Sequence, residues 1–496
     1  MAKNTKRDLC NGPILSGMFL YALPLMATGV LQTLYNAADT MVIGKFAGDE
    51  SLAAVSSTGS LTLLIVNLFL GISTGVLTVV ARHIGARHHK RVRQSVHTSI
   101  LLSILCGVFL MVLGLFISEP LLRMMGTGAV TEGSNVLAKA TLYMRIYFLG
   151  APALVIYNFG ASVLRAAGDT KRPLIHLTLS GITNVILNLI FVIACKMDVA
   201  GVALATTLSQ YLSAALTVFC LIKEQSDIRL EFSKLHIYPK RLAEILRMGI
   251  PAGIQSTLFS FSNVILQTSI NSFGDLYVAG NGAASQIESI MYTSMNAFYM
   301  TTTAFTSQNF GAQKKRRVKK TLLSGLFITV VVMVPLGLIV TFFADPLLGL
   351  FTTNAVALEA GRQRMRITTV STFIGGSMDI FTGYLRGLGA SIVPMFTTLI
   401  GVCVLRIVWI LVLFPMLGGS WEILYLCYPI TWGVTLLAHF CYSRIIKRTL
   451  LDRLPDREDS SPATAADATE ETSTLDTIAV PEFDDDSDES DEPVIV

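Results

Sequence analysis

The sequence predicts an all-α integral membrane fold: twelve transmembrane helices in two six-helix parallel-repeat lobes around a central cleft. Three observations predict it. Charge is scarce, at 15% of 496 residues against 52% hydrophobic, with a mean hydropathy of +0.59, where a soluble domain carries about 25% charged residues. Apolar runs recur along the chain, each long enough for a span of about 20 residues. The first half of the chain also repeats in the second.

The charge that exists is divided unevenly. After Pro455 there are 15 acidic residues and one base, Arg457, so the tail carries −14 and the body before it +18. The body is thus even poorer in charge than the total suggests. This composition excludes a soluble enzyme, a nucleic-acid binder and a fibrous chain. The seven cysteines show no metal-like spacing and read as small buried hydrophobes.

The spans fall near 15–43, 52–80, 96–117, 136–159, 173–194, 200–222, 245–271, 278–306, 321–343, 360–382, 394–416 and 422–445. Pro24, Pro152, Pro251 and Pro335 interrupt the runs, which neighbouring helices tolerate in a membrane. The first run has the basic start of a signal peptide but continues well past Ala27, too long for a signal core. Lysine and arginine concentrate in alternate loops, around Arg82 to Arg93, Lys171, Lys223 to Arg247 and Lys314 to Lys320. The positive-inside rule then places both termini in the cytoplasm, with Arg362 to Arg366 as the exception. The expected organisation is an N-lobe at 1–222, a cytoplasmic linker at 223–244, a C-lobe at 245–446 and a disordered acidic tail at 447–496.

The repeat has an offset near 226. Gly85-Ala86 falls on Gly311-Ala312 and Val92 on Val318; at offset 221, Leu164-Arg165 falls on Leu385-Arg386 and Gly168 on Gly389. Six helices per copy start both copies on the same side, so the halves are parallel repeats about an axis along the membrane normal. Two like bundles leave a cleft that rocking opens to either side, the architecture of a secondary transporter. The chain has no GxxxxGK[ST] phosphate loop and no cytoplasmic segment long enough for a nucleotide-binding domain. The drive is therefore an ion gradient, the substrate's own gradient or a partner ATPase.

Gln32, Tyr35 and Asp39, followed by Val42-x-Gly44 and Leu52-Ala53-Ala54-Val55, form one set of marks. Gly85-Ala86, Gln308-Asn309-x-Gly311-Ala312 and the Leu-Arg-x-x-Gly segments after helices four and ten form another. With these the chain resembles the MATE (multidrug and toxic compound extrusion) family over about residues 10–450. The resemblance implies an antiporter that exports organic, often cationic, compounds against inward H+ or Na+ flow. It also implies a multi-pass protein of a bacterial plasma membrane. The expected partners are small organic substrates and membrane lipids, with no nucleic acid; the expected state is a monomer. No cofactor is expected beyond the coupling ion.

Gln32, Tyr35, Asn36 and Asp39 are spaced to share one face of helix one. An ionisable group at that depth points to function, here proton or cation coupling, with Na+ as a possible ligand of Asp39. Against this stands an interfacial Asp39 paired with Arg145. Asn184 and Asn188 lie one turn apart on helix five. The family branch with an N-lobe cation site often has Asp at the second position, so Asp39 is left as the one obvious N-lobe carboxylate. Their bland reading is interhelical hydrogen bonding.

Glu288, Tyr292, Met295 and Tyr299 form a stripe on helix eight near the midplane, suited to an organic cation. The competing role for Glu288 is an ion pair with Arg406. Asn158 on helix four completes the expected substrate-facing set, and Asp379 is a further candidate near the cytoplasmic end of helix ten. The other family branch has a Glu near Phe259, which this chain lacks. Arg165, Arg386 and the basic runs read as topology determinants and anionic-lipid contacts. Gly85 and Gly311 read as left-handed helix caps.

Two rival functions make different demands on the sequence. A lipid-linked oligosaccharide flippase of the same superfamily predicts extra helices and a more basic cavity. An integral-membrane transferase needs clustered acids such as DDxxD, which occur here only in the tail.

Overall fold

The chain folds into twelve long helical spans, and many of their polar residues are buried inside the protein. The structure is a computed structural model that describes residues 6–125 and 135–453; the expected acidic tail from 454 onward lies outside the described residues. The first half contains α1 (Ile14–Phe46), α2 (Asp49–Gly85) and α3 (His89–Met124). Its fourth span, α4, is Val136–Leu149 with Ala151–Ala166, bent by 45° at Gly150. The half ends with α5 (Lys171–Ala194) and α6 (Asp198–Ile222). The second half contains α7 (Pro239–Asn271), α8 (Asp275–Gly311), α9 (Lys315–Phe342) and α10 (Ala355–Gly387). It closes with α11 (Ile392–Met416) and α12 (Trp421–Leu451). No strand occurs among the described residues.

Nine of these spans are apolar enough to cross a membrane by composition alone, counting the bent α4 as one. The other three, α7, α8 and α10, are as long but carry polar residues that face the protein interior. Thr301, Thr302, Thr303, Thr306, Ser307 and Asn309 of α8 are all buried, as are Arg364, Thr368 and Thr369 of α10. A helix buried on most sides can carry hydroxyls because they bond back to its own carbonyls, as Thr303 does to Tyr299 at 2.9 Å. The outer helices show the opposite pattern. Leu105, Phe109 and Phe116 of α3 and Leu323 and Phe327 of α9 are exposed, which suits lipid.

The linker is shorter than expected, since α7 begins at Pro239, and α12 runs to Leu451, past the expected start of the tail. Two bases of the cluster near 362 that broke the charge pattern are paired: Arg362 meets Asp345 at 2.8 Å and Arg364 meets Glu288 at 2.7 Å.

The two halves join where α2 crosses α7 and α8. Gly249 of α7 lies against the α2 backbone: a Cβ there would sit 2.6 Å from Ile72 Cα and 2.9 Å from its oxygen. At the basic-loop end, Gly85 abuts the Gln308 backbone and Gly311 abuts Arg82 O. These glycines therefore permit close crossing and do not serve as left-handed caps, correcting the expectation. The left-handed positions belong to Arg87 and Gln313, both at φ 57°, two residues further on in each half.

The N-terminal segment also ties the halves at this end. Arg7 N–H donates to Gly168 O at 3.1 Å. Asn309 Nδ2 donates to Leu9 O at 2.9 Å, Lys314 Nζ to Cys10 O at 3.0 Å and Arg317 to Gly12 O at 2.9 Å. Away from the basic loops, the polar contacts between halves reach outward as far as Asn67 Nδ2 to Ser260 Oγ at 3.0 Å.

Candidate functional site

Between the halves lies a cavity of about 470 Å³, within the range that holds a drug-sized molecule. α1 contributes Gln32 and Asn36, α2 contributes Asn67 and Ser73, and α4 contributes Asn158 and Arg165. From the second half come Ser256 of α7, Thr293, Asn296, Tyr299 and Met300 of α8, and Arg386 of α10. The lining is thus rich in neutral amides and hydroxyls and includes two arginines. No Asp, Glu, Lys or His is among the lining residues.

Arg165 and Arg386 were expected at a cytoplasmic surface, as topology determinants touching lipid. They are instead 6% and 5% exposed and line the cavity. The positive-inside count sees only their place near a helix end, and the fold turns both inward. Arg165 Nη1 reaches Met300 Sδ at 3.8 Å, while Arg386 donates to Tyr299 Oη and, at 2.7 Å, to Gln255 Oε1. The Nε of each has no hydrogen-bond partner.

The predicted face of α1 divides. Gln32 and Asn36 line the cavity, whereas Tyr35 and Asp39 turn toward α5. The Tyr35 ring lies over Gly181, where a side chain has no room, and its hydroxyl donates to Thr178 O at 3.4 Å. Asp39 is half-buried. Its carboxylate accepts from Asn188 Nδ2 at 2.5 Å and from Thr206 Oγ1 at 3.3 Å. Asn188 Nδ2 also lies 3.3 Å from Asn184 Oδ1, and Asn184 Nδ2 lies 3.3 Å from Thr206 Oγ1. Asn188 Oδ1 is buried without a partner.

The structure therefore gathers Asp39, Asn184 and Asn188 into one cluster and adds Thr206 of α6, which the sequence reading missed. Immediately after Asn188, α5 widens into a π-helical stretch, Leu189–Ala194, a departure that often accompanies a functional site. The alternative partner for Asp39, Arg145, pairs with Glu119 at 3.3 Å. Among the described residues no group of three His, Cys, Asp or Glu side chains could hold a metal. The oxygens of Asp39, Asn184, Asn188 and Thr206 are the hard donors a sodium ion would take, with the orphaned Asn188 Oδ1 free to serve.

Helix eight also divides. Of its predicted stripe only Tyr299 lines the cavity. Glu288 is 0% exposed inside the second half. Arg364 clasps its carboxylate with Nη2 at 2.7 Å and Nε at 3.2 Å, and Thr368 Oγ1 donates to it at 2.5 Å. The partner expected from the sequence, Arg406, instead donates to Asn263 Oδ1 at 2.8 Å and stacks over Tyr428 at 4.6 Å. Tyr292 packs edge-on to Trp432 at 6.4 Å, and Met295 is buried. The cavity face of α8 lies roughly a third of a turn from the stripe, so the stripe's helical spacing was sound but its direction was not. Asn158 does line the cavity, while Asp379 does not.

The MatE family model matches residues 24–190 and 251–412, one stretch in each half. The chain is 26% identical over 454 residues to Probable multidrug resistance protein YoeA of Bacillus subtilis, covering 88% of this chain and 95% of that protein. It is 29% identical over 359 residues to the FAD transporter of Shewanella oneidensis, covering 71% and 78%. Among solved structures, a MOP superfamily transporter from Pyrococcus furiosus, described as having a binding pocket of reversed polarity, superposes with a TM-score of 0.83 at 23% identity. That match covers 90% of this chain and 98% of the other. With one matched stretch in each six-helix half and a multidrug resistance relative spanned almost end to end, the chain belongs to the MatE family of multi-pass multidrug efflux transporters.

Proposed function

We propose that the protein is an ion-coupled antiporter that exports small organic compounds across the plasma membrane by alternating access. On this reading it acts as a monomer, with both termini in the cytoplasm. The basic-loop end is then the cytoplasmic end, and the present state is closed there by the α2 crossings and the N-terminal segment.

The observation that carries the coupling reading is the Asp39 cluster. A carboxylate held by an amide and a hydroxyl, beside an amide oxygen with no partner, is poised to exchange ligands. Rotation of the Asn188 amide would bring Oδ1 toward Asp39. That oxygen would accept a hydrogen bond from protonated Asp39, or ligate Na+ together with the ionised carboxylate. Either event changes the hydrogen bonds that tie α1 to α5 and α6. Ion binding is thereby linked to the position of α1, whose Gln32 and Asn36 face the cavity. One charge crossing 100 mV contributes about 2.3 kcal/mol, enough for substantial uphill export.

The test uses purified protein in liposomes with separately imposed proton and sodium gradients. Gradient-driven movement of a fluorescent substrate that Asp39→Asn loses, at normal expression, is the expected result and names the ion. Full coupled export by Asp39→Asn refutes the assignment.

A further inference from the structure

We infer that the central cavity selects organic anions, compounds whose carboxylate or phosphate group is held by Arg165 and Arg386. The inference rests on the transporter reading above and names the substrate class of that same cavity.

The charge inventory is one-sided. The two lining residues that carry charge are both arginines, both more than nine-tenths buried, and neither forms an ion pair with a described carboxylate. The carboxylates that might neutralise them are otherwise placed. Glu288 is clasped by Arg364. Asp39 faces Asn188 and Thr206. Asp169, close in sequence to Arg165, pairs with Arg172. Asp379, two turns before Arg386 on α10, lies within electrostatic reach of that guanidinium but forms no ion pair with it and is outside the cavity lining.

Buried guanidinium groups ordinarily have an anionic partner, because each loses its hydration on burial. Here both Nε atoms lack an acceptor. A bound carboxylate or phosphate supplies acceptors, and the planar fork of arginine suits both.

Both arginines also border the same helix. Arg165 touches Met300 and Arg386 touches Tyr299, consecutive residues of α8. They are equivalent positions of the internal repeat, 221 residues apart, so each half presents one cation to the same cavity. The surrounding amides of Gln32, Asn36, Asn67, Asn158 and Asn296 can donate further hydrogen bonds. A cationic substrate would meet two like charges and no carboxylate, which opposes its binding.

The experiment measures binding to detergent-purified full-length protein with two anionic probes, carboxyfluorescein and 4-methylumbelliferyl phosphate, and one cationic probe, ethidium. Transport of the same probes is followed in liposomes. The expected result is saturable binding and transport of at least one anion. Arg165→Gln and Arg386→Gln should each weaken its binding about tenfold or more, and Arg165→Lys should restore part of it. Competition among probes on the unaltered protein keeps the test independent of how the variants fold. Transport of ethidium with neither anion bound overturns the inference and leaves the exporter reading standing. Failure of all three probes to bind or move overturns both. Displacement of the anions by short-chain phosphatidylglycerol also overturns it, because the arginines would then serve a lipid headgroup.

Discussion

Replacing Gly249 by Ala should release the basic-loop end of the transporter. The added Cβ would lie 2.6 Å from the Cα of Ile72 and 2.9 Å from its carbonyl oxygen, where ordinary contact begins at 3.4 Å. Both opposing atoms are backbone, so no rotamer change relieves the clash, and α7 must withdraw from α2 by about 0.8 Å, the shortfall between 2.6 and 3.4 Å. Overpacking of this kind costs about 1–3 kcal/mol. In an alternating mechanism the state open at the basic end separates these helices, so the penalty falls on the closed state alone. The equilibrium should move about 5- to 150-fold toward opening.

The assay replaces the seven native cysteines and places one at Asn158 in the cavity. A membrane-impermeant maleimide is then applied to vesicles from the face bearing the basic loops. Gly249→Ala should accelerate labelling from that face. Gly282→Ala, whose Cβ would meet nothing within 4 Å, should leave the rate unchanged. Equal labelling of the Gly249→Ala and parent proteins, both well folded, would refute the claim that this crossing holds the end shut.

Three further outcomes follow from other contacts. Glu288→Gln should destabilise the protein by about 3–5 kcal/mol, because it leaves Arg364 buried without its charge partner; a melting curve in detergent matching wild type would overturn the structural assignment. Thr206→Val removes a hydrogen bond to Asp39 and should change the ion concentration for half-maximal export several-fold, about 1 kcal/mol; an unchanged ion dependence would exclude Thr206 from coupling. Burial raises the Glu224 carboxyl, but Lys6 and Arg172, each at 2.8 Å, outweigh it and hold the group down to about 2 from its usual 4.5. A depressed pKa gives stability that is fully present above about pH 4.5 and is lost as pH falls toward 2. Glu224→Gln should therefore lower the melting temperature at neutral pH, with the difference from wild type shrinking below pH 4.5; a difference independent of pH would count against the pair.

Much of the fold was legible because the bilayer imposes simple rules. Span length and alternating basic loops depend on local composition, and the repeat fixed which elements correspond. The boundary glycines were misread because a sequence shows that Gly85 recurs as Gly311 but not which backbone each approaches. The grouping around Asp39 was mostly legible, since Asp39, Asn184 and Asn188 each stand out in an apolar helix. Thr206 did not, because a threonine among the small residues of α6 looks like packing.

The greatest error concerned direction. Helical spacing groups Glu288 with Tyr299, yet only the packing of α8 decides which side meets the cleft. Arg165 and Arg386 carried a usable signal: their equivalence across the repeat, each in a Leu-Arg-x-x-Gly segment, marks them as a matched pair. Counting them with the loop charges hid that.

The N-terminal segment gives the molecule a built-in chemical clock. Cys10 sits in it, its thiol 3.6 Å from Gln308 Oε1. Burial and the nearby Asp8 raise its pKa from 9 to about 11 against the opposing pull of Lys314, Arg317 and Arg87. Alkylation proceeds through the thiolate, so the docked segment suppresses it by raising this pKa. Each departure of the segment from α8 and α9 restores that reactivity. The rate at which Cys10 is capped, with no foreign residue introduced, thus counts how often the two halves let go of it during turnover.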